Sequence, residues 1–599
     1  MNKPKVCLWA IIFIAVLTII LVSYNPAIIL DESLKNSHNT GIPEIQKMNS
    51  LKIKFALYEP GNLAILPNKF PSHSNIIDVP NVQKNLSLKI EFGLSKLIHP
   101  EAFVDLNKLR AIGVYPAIDI PGTAIEVVVE SVIHPGAAAT GVFLAANSVR
   151  NQIEALGGRY EISHKNLIQC QMPLASIEAL AQGPLVTFIR RPYRPKALAV
   201  TSEGVAKTGA NKWQSVASYR TGGVKPKIAV LDLGFSGYGS KLGSELPPSV
   251  TVRSFRADNN LTPNQVHGTA CAEIVYDMCP NVNLYLVNFS TDVEQHNAVD
   301  WLISEGVQII SYSIGWTNAG DGRGTGPICE DVKKAADRGI IWASSAGNSA
   351  EEHWEGTFSS ADGDSWHNYS GSDEINSFYV YKNNSVGGFL NWDDWGTWNG
   401  TDYGGSNNDY DFWLYIYDSG SWHLVDWSAG WQTGWQWPTE SIGYWYANFD
   451  TYWGFAISKF DTTRNCKLEI FVDGNDSLLR YYSLAGSLGI PADAPGALAV
   501  GATDWNTDVL HYYSSRGPTH DGRNKPDFSA PSGVSTASYG ATAFYGTSAS
   551  APHLAGAFGL MKDKTPYSLS DITKILQSRA VYLGDANLYG IGRLSLEKK

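Results

Sequence analysis

The chain carries the stretch Tyr545-Gly546-Thr547-Ser548-Ala549-Ser550-Ala551-Pro552-His553-Leu554-Ala555-Gly556, in which small residues surround a serine. The apolar run of small residues from Ala549 to Met561 is predicted to form a closely packed helix. Pro552 is compatible with this helix, because it falls early in it, where a missing N–H costs little. The N–H groups at a helix N-terminus favour an oxygen that becomes negative during a reaction. Taken alone, Ser548 is more typical of a helix cap than of a nucleophile.

Three other segments carry polar residues where a sheet would present them together. The apolar run 227–231 is typical of a buried parallel strand and ends at Asp232. His267 begins a helix of small residues, and a second buried strand, 340–344, leads to Asn348. In open α/β sheets, functional groups collect at the carboxyl ends of the strands. Each of these residues alone is more typical of a turn, a cap or a packed histidine. Only their combination indicates a functional site.

The order along the chain is Asp232, His267, Asn348, Ser548, and acid, histidine and serine follow the same order in one class of serine hydrolases. Five segments resemble motifs of the subtilisin-like serine proteases (the subtilase family, peptidase S8): 267–269, 345–348, 514–518, 525–531 and 546–553. The chain departs from the family pattern at Leu233, where the family usually has Ser or Thr. The resemblance is therefore to a divergent branch.

The resemblance implies a serine endopeptidase that is made as a zymogen and acts on proteins or peptides. Ser548 would be the nucleophile, His267 its general base and Asp232 the group that orients the imidazole. The Asn348 amide and the Ser548 backbone N–H would donate to the oxyanion. Two triplets would contact substrate: Ser313, Ile314 and Gly315 along its backbone, and Ser345, Ala346 and Gly347 in the wall of a side-chain pocket. This chemistry requires no cofactor.

Composition and the N-terminus indicate an exported protein. The 599 residues carry a net charge of −11, which argues against nucleic-acid binding. Lys3 and Lys5 precede an uncharged apolar stretch, 7–24, so residues 1–33 are predicted to be an export signal. An uncleaved membrane anchor is the alternative, because the stretch is nearly long enough to span a bilayer. Either way, the remaining chain would be secreted or anchored with its catalytic domain outside the cytoplasm.

The chain is too long for one domain, and its patterns divide it further. Residues 34–121 are mixed and polar, which indicates a leader or linker. Residues 122–200 alternate as βαββαβ, with the first helix starting at Ser148, and so predict a ferredoxin-like module. Its position resembles that of the subtilase prosegment, an intramolecular inhibitor. Residues 205–350 and 485–596 are predicted to form one α/β domain, a subtilisin-like parallel sheet flanked by helices.

The intervening residues 351–484 differ from the rest and contain 13 of the 19 tryptophans. Short strand patterns separated by Gly, Asn and Asp turns predict an inserted β-sandwich. Four aspartates in it are candidate ligands for a structural Ca²⁺, and a solvated acidic turn is the alternative: Asp393, Asp394, Asp409 and Asp411. A catalytically inactive subtilisin-like scaffold, binding polymers through this Trp-rich insert, is the alternative to an enzyme.

Overall fold

The computed structural model describes residues 76–77, 89–91, 115–116, 124–132, 139–192, 196–197, 202–219, 224–474 and 478–598. The export signal or anchor predicted within 1–33 lies outside these residues, as does most of the 34–121 leader. Within the described ranges, no helix combines the length and apolarity needed to cross a membrane.

The strands are numbered in chain order. Those before the catalytic segments are β1 (Ile76–Ile77), β2 (Tyr115–Pro116), β3 (Ile125–Ser131), β4 (Arg159–His164), β5 (Leu167–Met172), β6 (Val186–Arg190) and β7 (Lys196–Ala197). The first catalytic segment contains β8 (Lys227–Asp232), β9 (Thr251–Ser254), β10 (Asn283–Asn288), β11 (Ile309–Tyr312), β12 (Ile314–Gly315) and β13 (Ile341–Ser345). The insert contains β14 (His353–Thr357), β15 (Asn376–Val380), β16 (Ser385–Trp392), β17 (Asp409–Asp418), β18 (Ser421–Ser428), β19 (Thr439–Tyr446), β20 (Thr451–Asp461) and β21 (Lys467–Asp473). The last segment contains β22 (Ala497–Asp504), β23 (Phe528–Ser532), β24 (Val534–Thr536) and β25 (Gly540–Phe544).

The α-helices are numbered in the same way: α1 (Ala139–Ala155), α2 (Ile177–Ala181), α3 (Gly204–Thr208), α4 (Ala210–Gln214), α5 (His267–Met278), α6 (Asp292–Ser304), α7 (Pro327–Asp337), α8 (Thr547–Lys564), α9 (Leu569–Arg579) and α10 (Ala586–Tyr589).

A parallel sheet of seven strands, flanked by helices, forms the centre of the protein, as the sequence predicts. Its strand order is β23-β22-β13-β11-β8-β10-β9. Alternate residues of β8 enter two different cores, because successive side chains of a strand point to opposite faces. Val230 packs with Leu554 on the face covered by α5 and α8. Leu231 packs with Val299 and Val332 on the face covered by α6 and α7.

The residues before the central sheet form a separate four-stranded antiparallel sheet in the order β4-β5-β3-β6. The elements β3 to β6, with α1 and α2, succeed one another as βαββαβ. Val127, Ile153 and Ile168 are fully buried in its core. Helix α1 begins nine residues before Ser148, where the sequence pattern placed its start.

The eight strands of the insert, with one more strand added to each sheet from outside it, form two five-stranded sheets that share one apolar core. Their orders are β1-β18-β17-β20-β15 and β14-β21-β16-β19-β2. Phe412 and Phe455 from the first sheet pack with Leu390 and Ile470 from the second. The leader thus supplies one strand to each sheet. These two-residue strands are too short to leave an alternating pattern in the sequence, which explains why the sequence predicted only a linker there.

We expect the Phe455→Ala variant to lower the free energy of unfolding by about 3–5 kcal/mol, because it removes a ring from the middle of this core. The Phe455 ring is fully buried and lies 4.6 Å from that of Phe412 and 5.3 Å from that of Phe378. The matched control is Phe460→Ala on the same strand, where the side chain is 49% exposed. Its loss should be about 1 kcal/mol or less. Urea unfolding followed by circular dichroism measures both, and equal losses would contradict this core assignment.

Candidate active site

Asp232 and His267 meet at the carboxyl edge of the central sheet. Asp232 is the last residue of β8, and His267 is the first residue of α5. The Nδ1 atom of His267 lies 2.8 Å from Oδ2 and 2.9 Å from Oδ1 of Asp232, and both side chains are buried. A carboxylate only accepts hydrogen bonds, so the Nδ1–H of His267 donates to it. This contact leaves Nε2 as the nitrogen available for proton transfer.

Gly268 permits this approach of helix to strand. A Cβ at this position would lie 2.6 Å from the Gly234 carbonyl oxygen and 2.9 Å from the Asp232 Cβ. Both distances are shorter than van der Waals contact, so only glycine fits. The Gly268 N–H donates to that same Gly234 carbonyl at 3.1 Å. The backbone itself therefore sets the position of His267.

Ser548 is the second residue of α8 and is fully buried. Its hydroxyl donates to the Ser313 carbonyl at 2.8 Å, and the Ser313 hydroxyl donates to the Ser548 carbonyl at 2.9 Å. The Nε2 atom of His267 is buried without a hydrogen-bond partner among the described residues. The structure thus joins Asp232 to His267 but bonds the Ser548 hydroxyl to another residue.

The side chain of Asn348 is fixed by Thr547, a residue of the serine motif to which the sequence assigned no role. The Asn348 Oδ1 accepts from the Thr547 N–H at 2.9 Å and from the Thr547 hydroxyl at 2.8 Å. The Thr547 hydroxyl oxygen also accepts from the Gly347 N–H at 3.1 Å. Because its acceptor is engaged, the Asn348 amide has its NH₂ group left for donation. Thr547 could have been suspected only from its place beside Ser548.

The two predicted substrate triplets lie close together, one at β12 and the other at the end of β13. Ile314 and Gly315 form β12, which pairs antiparallel with β7, Ile314 opposite residue 197 and Gly315 opposite residue 196. Ser313 immediately precedes this strand. The Ser345 hydroxyl donates to the Ile314 carbonyl at 3.4 Å, so the wall triplet adjoins the strand triplet. Ala346, next in the wall, is fully buried.

Two further ionisable side chains pack beneath the site in uncharged form. Burial raises the pKa of the Cys271 thiol well above its ordinary value, and this thiol contacts the Ser548 carbonyl at 3.8 Å. Burial lowers the pKa of His553 to about 4, and its Nδ1 contacts the Ala549 carbonyl at 2.7 Å. A Cβ at Gly204 would lie 1.9 Å from the His553 Nε2. Both groups are therefore uncharged: Cys271 of α5 packs against α8, and His553 belongs to α8 itself.

The four candidate calcium ligands of the insert do not share one environment. Arg464 pairs with Asp393 at 2.8 Å and with Asp394 at 3.4 Å, so a guanidinium lies beside both carboxylates. Asp409 and Asp411 lie on β17 and are buried. Calcium binding at these residues stays a prediction.

We expect Gly268→Ala to lower the melting temperature, because its Cβ would overlap the end of β8; overpacking of this kind costs about 1–3 kcal/mol. Gly239→Ala is the matched control, since a Cβ there meets nothing within 4 Å. Differential scanning calorimetry compares the two with the unmodified chain. If Gly268→Ala is as stable as Gly239→Ala, the close approach of α5 to β8 is not a constraint.

Comparison with known proteins identifies the family of this chain. A sequence model of the subtilase family (Peptidase_S8) matches residues 223–385 and 443–592, just over half of the chain. The chain is 38% identical over 114 residues to Subtilisin Savinase of Lederbergia lenta, covering 19% of this chain and 41% of that protein. It is equally identical over 114 residues to an alkaline protease of Alkalihalobacillus alcalophilus, covering 19% of this chain and 29% of that protein. The match thus spans less than half the length of either relative.

Among solved structures, the CspB protease of Clostridium perfringens aligns with a TM-score of 0.43 at 13% identity, covering 66% of this chain and 97% of that chain.

Proposed function

The chain belongs to the subtilase family, and from that premise we propose that it hydrolyses peptide bonds with Ser548 as the nucleophile. The observation that carries the proposal is the pair of contacts, 2.8 and 2.9 Å, between the Asp232 carboxylate and Nδ1 of His267. This pair lies at the carboxyl edge of the sheet, against the helix that begins at the serine motif. Asp232 fixes the imidazole tautomer and stabilises the imidazolium that forms when His267 accepts a proton.

The serine hydroxyl must reach Nε2 of His267 for this chemistry. In the resting structure it donates to the Ser313 carbonyl. A serine passes between staggered χ1 rotamers at low cost, and catalytic hydrogen bonds often form only once substrate binds. We infer that substrate binding moves the hydroxyl from Ser313 to His267, which then removes its proton.

Two donors support oxyanion stabilisation. The Asn348 amide keeps its NH₂ for donation because Thr547 occupies its oxygen. The backbone N–H of Ser548 lies in the first turn of α8, where N–H groups lack intrahelical acceptors. The loss of one such donor costs a factor of about 10²–10³ in rate.

The substrates would be proteins or peptides in extended conformation. An extended peptide can add its backbone to the β12 edge at Ile314 and Gly315, since main-chain hydrogen bonds supply affinity there without sequence preference. Ser345, Ala346 and Gly347 would then line the pocket for the side chain before the cleaved bond. The small size of these residues leaves room for a large side chain.

We further propose that residues 122–200 are a ferredoxin-like prosegment and that the protein is a zymogen. The antiparallel pairing of residues 196–197 with β12 supports this, because the tail occupies the edge assigned to substrate. Contacts with α6 support it as well: Arg190 pairs with Asp292 at 2.6 Å, and the Gln169 amide donates to Glu294 at 3.0 Å. The prosegment would thereby inhibit its own catalytic domain.

The remaining expectations stay part of the proposal. Residues 351–484 would be an inserted β-sandwich, consistent with two sheets around one core. Residues 1–33 would direct export or anchor the chain, with the catalytic domain outside the cytoplasm. No cofactor is required, and a structural Ca²⁺ near Asp393 and Asp394 remains a candidate.

We expect Ser548→Ala to abolish both casein hydrolysis and labelling by a fluorescent fluorophosphonate, because the attacking oxygen is removed. Ser550→Ala is the matched control: it lies on the same helix, equally buried, but its hydroxyl donates to the Ala530 carbonyl at 3.0 Å. It should retain labelling. Gel fluorescence and casein assays measure both. Casein hydrolysis or labelling that survives in Ser548→Ala would show that Ser548 is not the nucleophile, and an unmodified chain that never labels would favour an inactive scaffold.

We expect the chain to cut itself between Arg190 and Val205. The Ser548→Ala protein should accumulate as the longer precursor, and Asn348→Ala should mature slowly because one oxyanion donor is missing. N-terminal sequencing of the purified proteins reads the outcome. If unmodified and Ser548→Ala proteins begin at the same residue after Arg190, another protease does the cutting. If the unmodified chain keeps residues 122–194 attached, the segment is not a removable prosegment.

A further inference from the structure

The tail that precedes the first catalytic segment pairs with β12 in a register that can be extended to the nucleophile. In this antiparallel pairing Gly315 lies opposite Lys196, and Ile314 lies opposite Ala197. Residue numbers rise along one strand as they fall along the other, so each step towards Ser313 is a step towards the C-terminus of the tail. A peptide bound in this register therefore presents, opposite Ser313, the residue that follows position 197.

The position opposite Ser313 is also the position beside the nucleophile. The Ser548 hydroxyl donates to the Ser313 carbonyl at 2.8 Å, and the Ser313 hydroxyl donates to the Ser548 carbonyl at 2.9 Å. Directly opposed residues of antiparallel strands have Cα atoms about 4.5–5.5 Å apart. A substrate residue bound opposite Ser313 thus lies next to the Ser548 side chain. The peptide bond that follows this residue is the one exposed to attack.

The space for the side chain before the cut bond is bordered by glycines. Among the described residues, a Cβ at Gly315 would meet only the Ile490 carbonyl oxygen within 4 Å, at 3.9 Å. A Cβ at Gly489 would lie 3.9 Å from the Cα atoms of both Gly315 and Gly347, which is ordinary contact. Gly489 therefore lies between the strand triplet and the wall triplet and leaves room there for a substrate side chain.

The walls of this space are uncharged. The three described ranges that form them contain only Ser, Gly, Ala, Ile, Leu and Trp: 313–316, 345–347 and 488–490. Glu469 and His520 line a neighbouring cavity, but they pair with each other at 3.2 Å, so their opposite charges are matched. A charged substrate side chain would lose its water here without gaining a partner, whereas an apolar side chain is stabilised by burial.

We propose that the protein cuts its own chain between Leu198 and Ala199, and that it prefers substrates with an uncharged apolar side chain of leucine size before the cut bond. The register selects position 198 without reference to its chemistry, and the walls independently select an apolar side chain. Position 198 is Leu, whereas Arg194 and Lys196 of the same tail are charged. Leu198 itself lies outside the described residues. The proposal rests on the proposed peptidase activity of Ser548.

The cut uses only groups of the candidate active site and one water molecule. The Ser548 oxygen attacks the carbonyl carbon of Leu198 while Nε2 of His267 takes the serine proton. The C–N bond to Ala199 then breaks and the proton passes to the leaving nitrogen, which gives an ester on Ser548 and a free amine at Ala199. Water then attacks the ester, losing one proton to His267. The ester C–O bond breaks, the serine oxygen regains that proton, and the carboxyl group of Leu198 is released.

The test uses the full chain, with the Ser548→Ala chain as the uncut reference. Tandem mass spectrometry reads the last residue of the released piece and the first residue of the catalytic piece, so any later trimming is recognised as a gap between them. The variants at the bond are Leu198→Met and Leu198→Asp. Arg194→Ala is the matched control in the same tail, because a protease specific for basic residues would depend on it. Fluorophosphonate labelling of the unmodified chain reports on Ser548 separately from the position of the cut.

The substrate preference is measured on the cut enzyme with peptides of the sequence 194–203 that carry Leu, Lys or Asp at position 198. The Leu peptide should have a kcat/KM at least about 100-fold higher than the other two, because a single methylene already changes this ratio by about 10–200-fold and a buried charge costs more. Equal values for the Leu and Lys peptides would overturn the assigned pocket.

We expect the two new ends to be Leu198 and Ala199. Leu198→Met should be cut within about tenfold of the unmodified rate, Leu198→Asp at least about 100-fold more slowly, and Arg194→Ala at the unmodified rate. Complementary ends at another bond, a labelled chain that stays uncut, or normal cutting of Leu198→Asp would overturn this proposal and leave Ser548 as the nucleophile. The same ends in the Ser548→Ala chain would assign the cut to another protease. A chain that is neither labelled nor cut would contradict the proposed function itself, and this proposal with it.

Discussion

The rest of the site depends on the close approach of α5 to the end of β8, which is possible only because Gly268 has no Cβ. Two glycines of α8 bring that helix equally close to α5 and to the sheet. A Cβ at Gly556 of α8 would lie 2.4 Å from the Met278 Cβ, and one at Gly559 would lie 2.4 Å from Ile228. The sheet and both helices thus approach one another closely at positions where a glycine leaves out a side chain. The acid, the histidine and the serine motif are therefore positioned by three rigid elements rather than by flexible side chains.

The sequence could predict this arrangement because strand ends and helix starts leave local signals. Asp232 and His267 are 35 residues apart, yet a parallel sheet brings such positions to one edge. The partner of the Ser548 hydroxyl could not be predicted, because it depends on the rotamer of a single side chain. The early start of α1 also escaped prediction: Thr140 and Gly141 are poor helix formers, so its first turns carry no propensity signal.

The insert is more than an appendage, because it contacts the loop that continues from β12. The Asn318 amide donates to the carbonyls of Leu390 and Glu440, at 3.1 and 3.0 Å, on two strands of the insert. The Tyr403 hydroxyl accepts from the Asp321 N–H at 3.2 Å in the same loop. Loops that border a binding strand are ordinarily the most mobile parts of such a fold. Here a second folded unit holds the loop, and the Trp-rich core behind it supplies the rigidity.

The β12 edge can pair with one strand at a time, and residues 196–197 already occupy it. This pairing is only two residues long, so it is weak by itself. The four-stranded unit before it adds its own hold on α6 through Arg190 and Gln169. A cut after residue 197 breaks neither contact and leaves the tail joined to the four-stranded unit. It does remove the tether to the catalytic domain, which lowers the effective concentration of the whole unit at that domain. The buried Arg190–Asp292 pair would therefore help to keep the tail on the β12 edge after the cut.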